Sequence, residues 1–274
     1  LTMSESSTNS PTSYRDIRYE VEGAVAHLQL HRPDALNAWT PDLGRELLHA
    51  VRRAATDERV RAVLVSGAGR AFSAGADVKD RRELTDTGEV DLTSRLREIY
   101  NPIVLAVREA PKPFVASVHG ACAGLGASLA LACDLIIAAE DAYLLLAFVR
   151  IGVMPDGGAT AFLAERVGLA RAAELCMLGE KLPATKALEW GLVNAVHPVE
   201  ALHSAARAVA ERLAEAPTVA LGSIKRALNA AAYPGLAEHV TLEADLQQRH
   251  ASTADYAEGR AAFVEKRTAR FAGR

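Results

Sequence analysis

Apolar and polar residues alternate from the start of "IRYEVEGAVAHLQL", where "RYEVE" and "AVAHLQL" flank Glu22-Gly23 as two strands of a hairpin would. The period then changes. Thr40-Pro41-Asp42 offers an N-cap, a proline at the first helical position and an early acid, and Leu43, Leu47, Leu48 and Val51 follow at helical spacing. Three apolar runs, "AVLVSG" (62–67), "FVASVHG" (114–120) and "DLIIAA" (134–139), predict buried strands. Between them, Leu92, Leu96, Ile99, Ile103 and Val107 predict a helix over 91–109, and "LALAC" continues another. From about Leu182 the segments "PATKALEWG", "VEALHSAARAVAERLAEA", "TVALGSIKRALNAA" and "GLAEHVTLEADLQQRHAS" read as successive amphipathic helices. The pattern predicts an α/β chain of strand-strand-helix units over 14–200 and a helical region over 201–274, with apolar faces that pack on the core or on another subunit. Residues 1–13, "LTMSESSTNSPTS", read as a polar, disordered leader. No letter-level repeat of solenoid length is present.

Composition narrows the classes. Half of the 274 residues are apolar and 24% are charged, the balance of a soluble globular enzyme or binding protein. With 31 basic and 34 acidic residues there is no net field to hold nucleic acid or an anionic membrane. The longest apolar stretch, "ACAGLGASLALACDLIIAA" (121–139), contains Asp134, Ser128 and two glycines and so predicts a buried core instead of a bilayer span. Cys122, Cys133 and Cys176 each sit in an apolar run with no CxxC, which predicts reduced buried thiols and a cytoplasmic location.

Familiar nucleotide and hydrolase motifs fail. "GAGRAF" and "GLGASL" lack the third glycine of a dinucleotide fingerprint, and there is no P-loop, GxSxG elbow or HExxH. His119 beside Gly120 reads as a satisfied turn histidine. What remains is two small-residue turns, "FSAGAD" and "GACAGLG", each following a strand-like run. Such turns let a ligand approach backbone N–H groups closely, and two N–H groups aimed at one point stabilise an oxyanion; two empty tight turns are the alternative. Asp156 in "RIGVMPDGGAT" is either a turn-former or a working acid. Asp77 is expected to fix its loop, Asp134 to be a structural carboxylate bonded to backbone amides, and Glu165 and Arg166 to lie on a solvated or subunit-facing helix face.

With "RPDALNA", "AFSAGADVK", "VHGACAGLGASLALACD" and "IGVMPDGGAT" in this order, the chain resembles the crotonase (enoyl-CoA hydratase/isomerase) superfamily over roughly residues 14–272. The resemblance implies a crotonase-like spiral of ββα units with a helical C-terminal trimerisation region, hence a homotrimer or a hexamer. It implies an acyl-CoA thioester substrate whose enolate is held by the backbone N–H groups matched by Ala76 and Leu125, the latter where glycine is common. CoA contacts are implied at Ala35, Leu36, Ala74, Asp77, Val78, Phe263 and Lys266. Asp34 stands where many members carry a basic residue, so no phosphate contact is assigned there. No metal or redox cofactor is implied, coenzyme A being part of the substrate.

Hydration of a conjugated double bond needs water held between two carboxylates. The positions matched to the family hydratases' glutamates are Ser128 and Phe148, expected to line the acyl pocket, and neither can be a carboxylate base. Asp156 falls where the isomerase members place their catalytic aspartate, with the ring 1,2-epoxyphenylacetyl-CoA isomerase group the nearest in pattern. The expected activity is therefore enoyl-CoA isomerisation with Asp156 moving the proton. An atypical hydratase of fatty-acid β-oxidation, another crotonase reaction on a thioester, and a non-catalytic CoA-binding protein stay open.

Overall fold

The computed structural model describes residues 14–80 and 83–274; the expected leader lies outside the described residues. Strands β1 (Ile17–Glu22) and β2 (Val25–Leu30) pair antiparallel, and the chain reverses at Gly23-Ala24, with glycine at the position of positive φ (+58°). The strands that follow are β3 (Ala62–Gly67), β4 (Phe114–Val118), β5 (Ala121–Ala123), β6 (Leu135–Ala139), β7 (Tyr143–Leu145), β8 (Lys181–Pro183) and β9 (Ala195–His197). One sheet has the order β1-β2-β3-β4-β6-β9 and is parallel from β2 onward. A smaller sheet has the order β5-β7-β8.

Continuous apolar sequence in β3 and β4 follows from burial on both faces. Val63, Val65, Phe114 and Ala116 enter the main core, whereas Ala62, Leu64 and Val115 enter a second one on the opposite face. Helix α1 (Pro41–Thr56) buries Leu43, Leu47, Ala50, Val51 and Ala54, and the Leu43 amide donates to Thr40 Oγ1 at 3.2 Å, the expected cap.

The helix predicted over 91–109 begins at Ser94. Asp91 accepts from the Thr93 and Ser94 amides at 2.8 and 2.9 Å, a local cap that leaves Leu92 outside. The chain then enters α2 (Asn101–Glu109) through a π-helical segment, Leu96–Tyr100. Helix α3 (Leu125–Ala132) is buried along its length, and α4 (Ala159–Leu178) is broken at Gly168. After α5 (Ala184–Glu189) come α6 (Val199–Glu215), α7 (Thr218–Ala232), α8 (Leu236–Gln248) and α9 (Ala254–Glu265).

Helix α6 covers the second face of the large sheet with Leu202, Ala206, Ala210 and Ala214, so packing continues across residue 200. No described helix is long and apolar enough to cross a membrane. Cys122 and Cys133 are buried free thiols, Cys176 is half-buried, and burial pushes the pKa of all three up.

Asp134 accepts from the Phe114 amide at 2.8 Å as expected, and it also pairs with Arg108 and Lys225 at 3.1 and 2.8 Å. Arg166 departs from its expected solvated face. Its guanidinium donates to the carbonyls of Leu131 and Cys133, both at 2.8 Å, where α3 leaves carbonyls without helical partners. Glu165 is exposed. His119 Nε2 lies 2.8 Å from the Gly69 carbonyl, as a satisfied turn histidine should.

Candidate active site

Adjacent parallel strands bring their C-terminal ends together, and here the ends of β3 and β4 lead into the two small-residue turns. The turns join by backbone bonds: Ser73 N donates to Ala121 O at 3.0 Å, and Ala123 N to Ser73 O at 2.8 Å. Gly75 makes the fit possible. At φ +86°, a Cβ there would stand 2.9 Å from the Ala123 carbonyl oxygen.

On its other side the first turn pairs with the chain ahead of α1. Trp39 N donates to Gly75 O and Asp77 N to Trp39 O, at 2.8 and 2.9 Å. Ala74 N donates to Leu36 O at 2.9 Å, which seats Ala35 and Leu36 beside the turn.

The Ala76 amide between these bonds has no acceptor among the described residues. Leu125 is the first residue of α3, so its amide is among the N–H groups a helix leaves without a helical partner. The partial positive charge of the α3 N-terminus adds to the attraction for an anion there.

Asn37, in "ALNA", locks the first turn from beneath: its Nδ2 donates to the carbonyls of Ala68, Ala71 and Phe72, and its own carbonyl accepts from Ser73 Oγ. Sequence reasoning did not assign Asn37 a role. A buried asparagine at φ +54° is the signal that a backbone-like polar group is needed there.

A cavity of about 770 Å³ opens over both turns. Ala35, Leu36, Ala74, Ala76, Asp77, Val78, Leu125, Phe148, Asp156 and Phe263 all line it. Phe263 arrives on α9, which packs on the helical turn Ala147–Ile151 and also brings Tyr256 and Arg260 to the wall.

Two expected site residues do not reach the cavity. Ser128 is fully buried behind it, its hydroxyl donating to the Asp156 carbonyl at 2.8 Å, because the third residue after Leu125 on α3 turns inward. Lys266 is exposed past the end of α9, where a left-handed residue (φ +56°) ends the helix. Asp77 holds its own turn as expected, accepting from the Lys79 amide at 3.1 Å and from Arg32 at 3.4 Å, while also facing the cavity.

Asp156 is 6% exposed. Its carboxylate makes no bond to the amides of its own Pro-Asp-Gly-Gly turn. The N-terminal amides of α4, which an Asp at this place would be expected to cap, are taken by Glu243 of α8: Gly158 N at 2.7 Å and Thr160 N at 3.2 Å. Asp156 Oδ2 instead accepts from Gln247 Nε2 at 2.7 Å, and Oδ1 has no partner among the described residues. Burial pushes the carboxyl up to about 7, opposed by the Gln247 bond and reinforced by the Glu243 charge. Trp39 Nε1 is the other buried, unpartnered polar atom on a cavity-lining residue, with Tyr100 stacked edge-on to its ring at 5.5 Å.

Glu243 and Gln247 were missed from sequence. Their signal was two polar residues four apart on a helix read as amphipathic.

The protein-family model described as enoyl-CoA hydratase/isomerase matches residues 20–274. The chain belongs to the enoyl-CoA hydratase/isomerase family. It is 40% identical over 255 residues to the 1,2-epoxyphenylacetyl-CoA isomerase of Escherichia coli (strain K12), covering 93% of this chain and 97% of that one. It is 41% identical over 263 residues to a probable enoyl-CoA hydratase of Rhodobacter capsulatus, covering 96% and 100%. A crystal structure of an enoyl-CoA hydratase from Mycobacterium avium subsp. paratuberculosis K-10 matches with a TM-score of 0.86 at 38% identity, over 95% of this chain and all of that one. The crotonase fold expected from the four motifs is thereby shown, and with it an enzyme family acting on enoyl-CoA thioesters.

Proposed function

We propose that this family member is an enoyl-CoA isomerase in which Asp156 carries a proton between two carbons of the acyl chain. The observation behind the reading is that Asp156 is the one buried carboxylate lining the cavity, and that its side chain is spent on no turn or cap. In the forward direction Asp156 Oδ1 removes a proton from C2 of a 3-enoyl thioester. The electron pair moves to the thioester oxygen, giving a dienolate bonded to the Ala76 and Leu125 N–H groups. Asp156 returns the proton to C4 as the pair shifts back, so the 2-enoyl thioester forms with no atom gained or lost.

A buried acid near neutrality suits both halves of that cycle, because it must be a base first and an acid second. Phe148 supports the reading from the other wall. Its ring tip lies 3.8 Å from the place a Cβ on Gly124 would take, where it keeps water from the dienolate's turn and offers no carboxylate. Ala35, Leu36, Ala74, Val78 and Phe263 are assigned to the CoA moiety.

The aromatic walls of Trp39, Tyr100 and Phe148 also suit a flat ring. The ring epoxide in the name of the E. coli relative is therefore a second substrate to test. Purified protein is given 3-enoyl, 2-enoyl and 1,2-epoxyphenylacetyl thioesters, with products separated by chromatography against standards and read by mass spectrometry. Isomer from the first supports the proposal, and isomer from the third supports the second reading. Efficient gain of one water by the 2-enoyl thioester overturns it, and tight CoA binding with no product from any of the three favours a non-catalytic binder.

A further inference from the structure

Nothing in the turn that carries Asp156 holds its carboxylate, yet the carboxylate has a definite anchor 91 residues later in the chain. Gln247, at the last turn of α8 and 4% exposed, uses all of its amide. Nε2 donates to Asp156 Oδ2 at 2.7 Å and to the Met154 carbonyl at 2.8 Å, while Oε1 accepts from the Met154 amide at 3.3 Å. The amide plane is therefore set by the backbone two residues before Asp156, and its remaining N–H bond direction points at one carboxylate oxygen. One turn back on the same helix, Glu243 sets the backbone two residues after Asp156. Helix α8 thus grips the turn on both sides of the acid.

We propose that Gln247 is the positioning residue of the site: by occupying Oδ2 it fixes the carboxylate rotamer and leaves Oδ1 as the atom that exchanges the proton with substrate. The inference rests on the reading of Asp156 as the base. Gln247 is suited to this task by being neutral. A Lys or Arg in its place would pair with the carboxylate and keep it ionised, spoiling it as an acid, while a leucine would leave both oxygens without a partner. A single neutral donor favours the ionised form modestly and orients it.

Other groups also act on the carboxylate. Glu243 on α8 raises its pKa, Tyr100 in the segment leading into α2 senses its charge, and Arg95 and Arg150 also line the cavity. The orienting bond observed on the carboxylate is the one from Gln247, to Oδ2.

Two variants and one control test the assignment. Gln247→Met keeps volume and removes the donor. The expected pH profile of kcat has its midpoint moved up by about one unit, so that turnover is down about tenfold at pH 6 and within about twofold of the parent at pH 9. KM for the thioester stays within about twofold, since Gln247 is expected to touch the acid and not the CoA moiety. Gln247→Glu, close in shape, places a second acid against Oδ2 and is expected to move the midpoint up further. A residue of merely structural importance would lower turnover by the same factor at every pH. An unmoved midpoint in both variants, or in Gln247→Glu alone if Gln247→Met does not fold, overturns the proposal.

Asp156→Asn in the same assay separates the two levels. If it is inactive while the Gln247 midpoints stay put, the positioning role falls and the base assignment stands. If it keeps full turnover, both fall.

Discussion

Replacing Asp156 by asparagine should make the protein more resistant to alkaline conditions, by an amount that follows from the burial of the acid. With the folded carboxyl at about 7 and the ordinary value 3.8, the folded state holds its proton more tightly than the unfolded chain does. An acid raised in this way costs nothing below the unfolded value. Stability is then lost progressively as pH rises from 3.8 toward 7, and the full penalty remains above that. On these values the penalty is about 2 kcal/mol at pH 5 and about 4 kcal/mol at pH 8, so most of it appears between those two pH values.

Asparagine keeps an acceptor for Gln247 and has no proton to lose. Its Nδ2, standing where Oδ1 lacks a partner, adds a cost of about 1–3 kcal/mol for a buried donor. That cost is the same at every pH and drops out of the comparison. Guanidinium unfolding of parent and variant at pH 5, 6, 7 and 8 reads the difference directly, because every other titrating group is common to the two. The variant should gain on the parent by about 2–3 kcal/mol across that range. Curves that run parallel within about 0.5 kcal/mol would refute the claim that Asp156 is buried without a compensating charge.

Further expectations concern the site and its frame. Turnover of the parent should rise with pH through a midpoint near 7, read as kcat/KM against pH with a 3-enoyl thioester; a midpoint near 4 would remove Asp156 as a desolvated base. Glu243→Gln takes away a charge that raises the Asp156 pKa, so the same midpoint should move to lower pH. Reorganised bonds at the start of α4 should also cost about 1–3 kcal/mol in a melt. Gly75→Ala forces a methyl against the Ala123 carbonyl at a positive φ. It should cost about 1–3 kcal/mol and reduce kcat by displacing the Ala76 amide, seen in unfolding and in steady-state assays. Val219, Ile224 and Leu228 on α7 are exposed, and sedimentation tests the expected trimer or hexamer.

Sequence periodicity exposed the elements more readily than the contacts between them. The hairpin, the Thr40 cap, the buried runs at 62–67 and 114–120 (the latter two residues too long, since β4 ends at Val118) and the C-terminal helices could be read because each depends on neighbours within a few residues. The start of the helix at Ser94 was misread because a local Asp91 cap outweighed the periodic Leu92. Asp156, Ala76 and Leu125 were legible as motif positions. Ser128 could not be placed, since its distance from the cavity depends on the rotation of α3 about its axis, which spacing alone does not set. Gln247 and Glu243 were invisible for a related reason: their meaning comes from packing α8 against a turn far back in the sequence.

The two-sided grip of α8 on that turn has a consequence for the order in which the chain becomes competent. Both small-residue turns are complete once β5 and the start of α3 are in place, within the first half of the polypeptide. The acid receives its anchor and the start of α4 its cap only when a segment beginning at residue 236 docks. Contacts so far apart in sequence are made late, because the intervening chain must be closed into a loop first. The frame of the two turns thus depends on contacts nearer in sequence, and the setting of the Asp156 carboxylate on one of the most distant contacts in the chain.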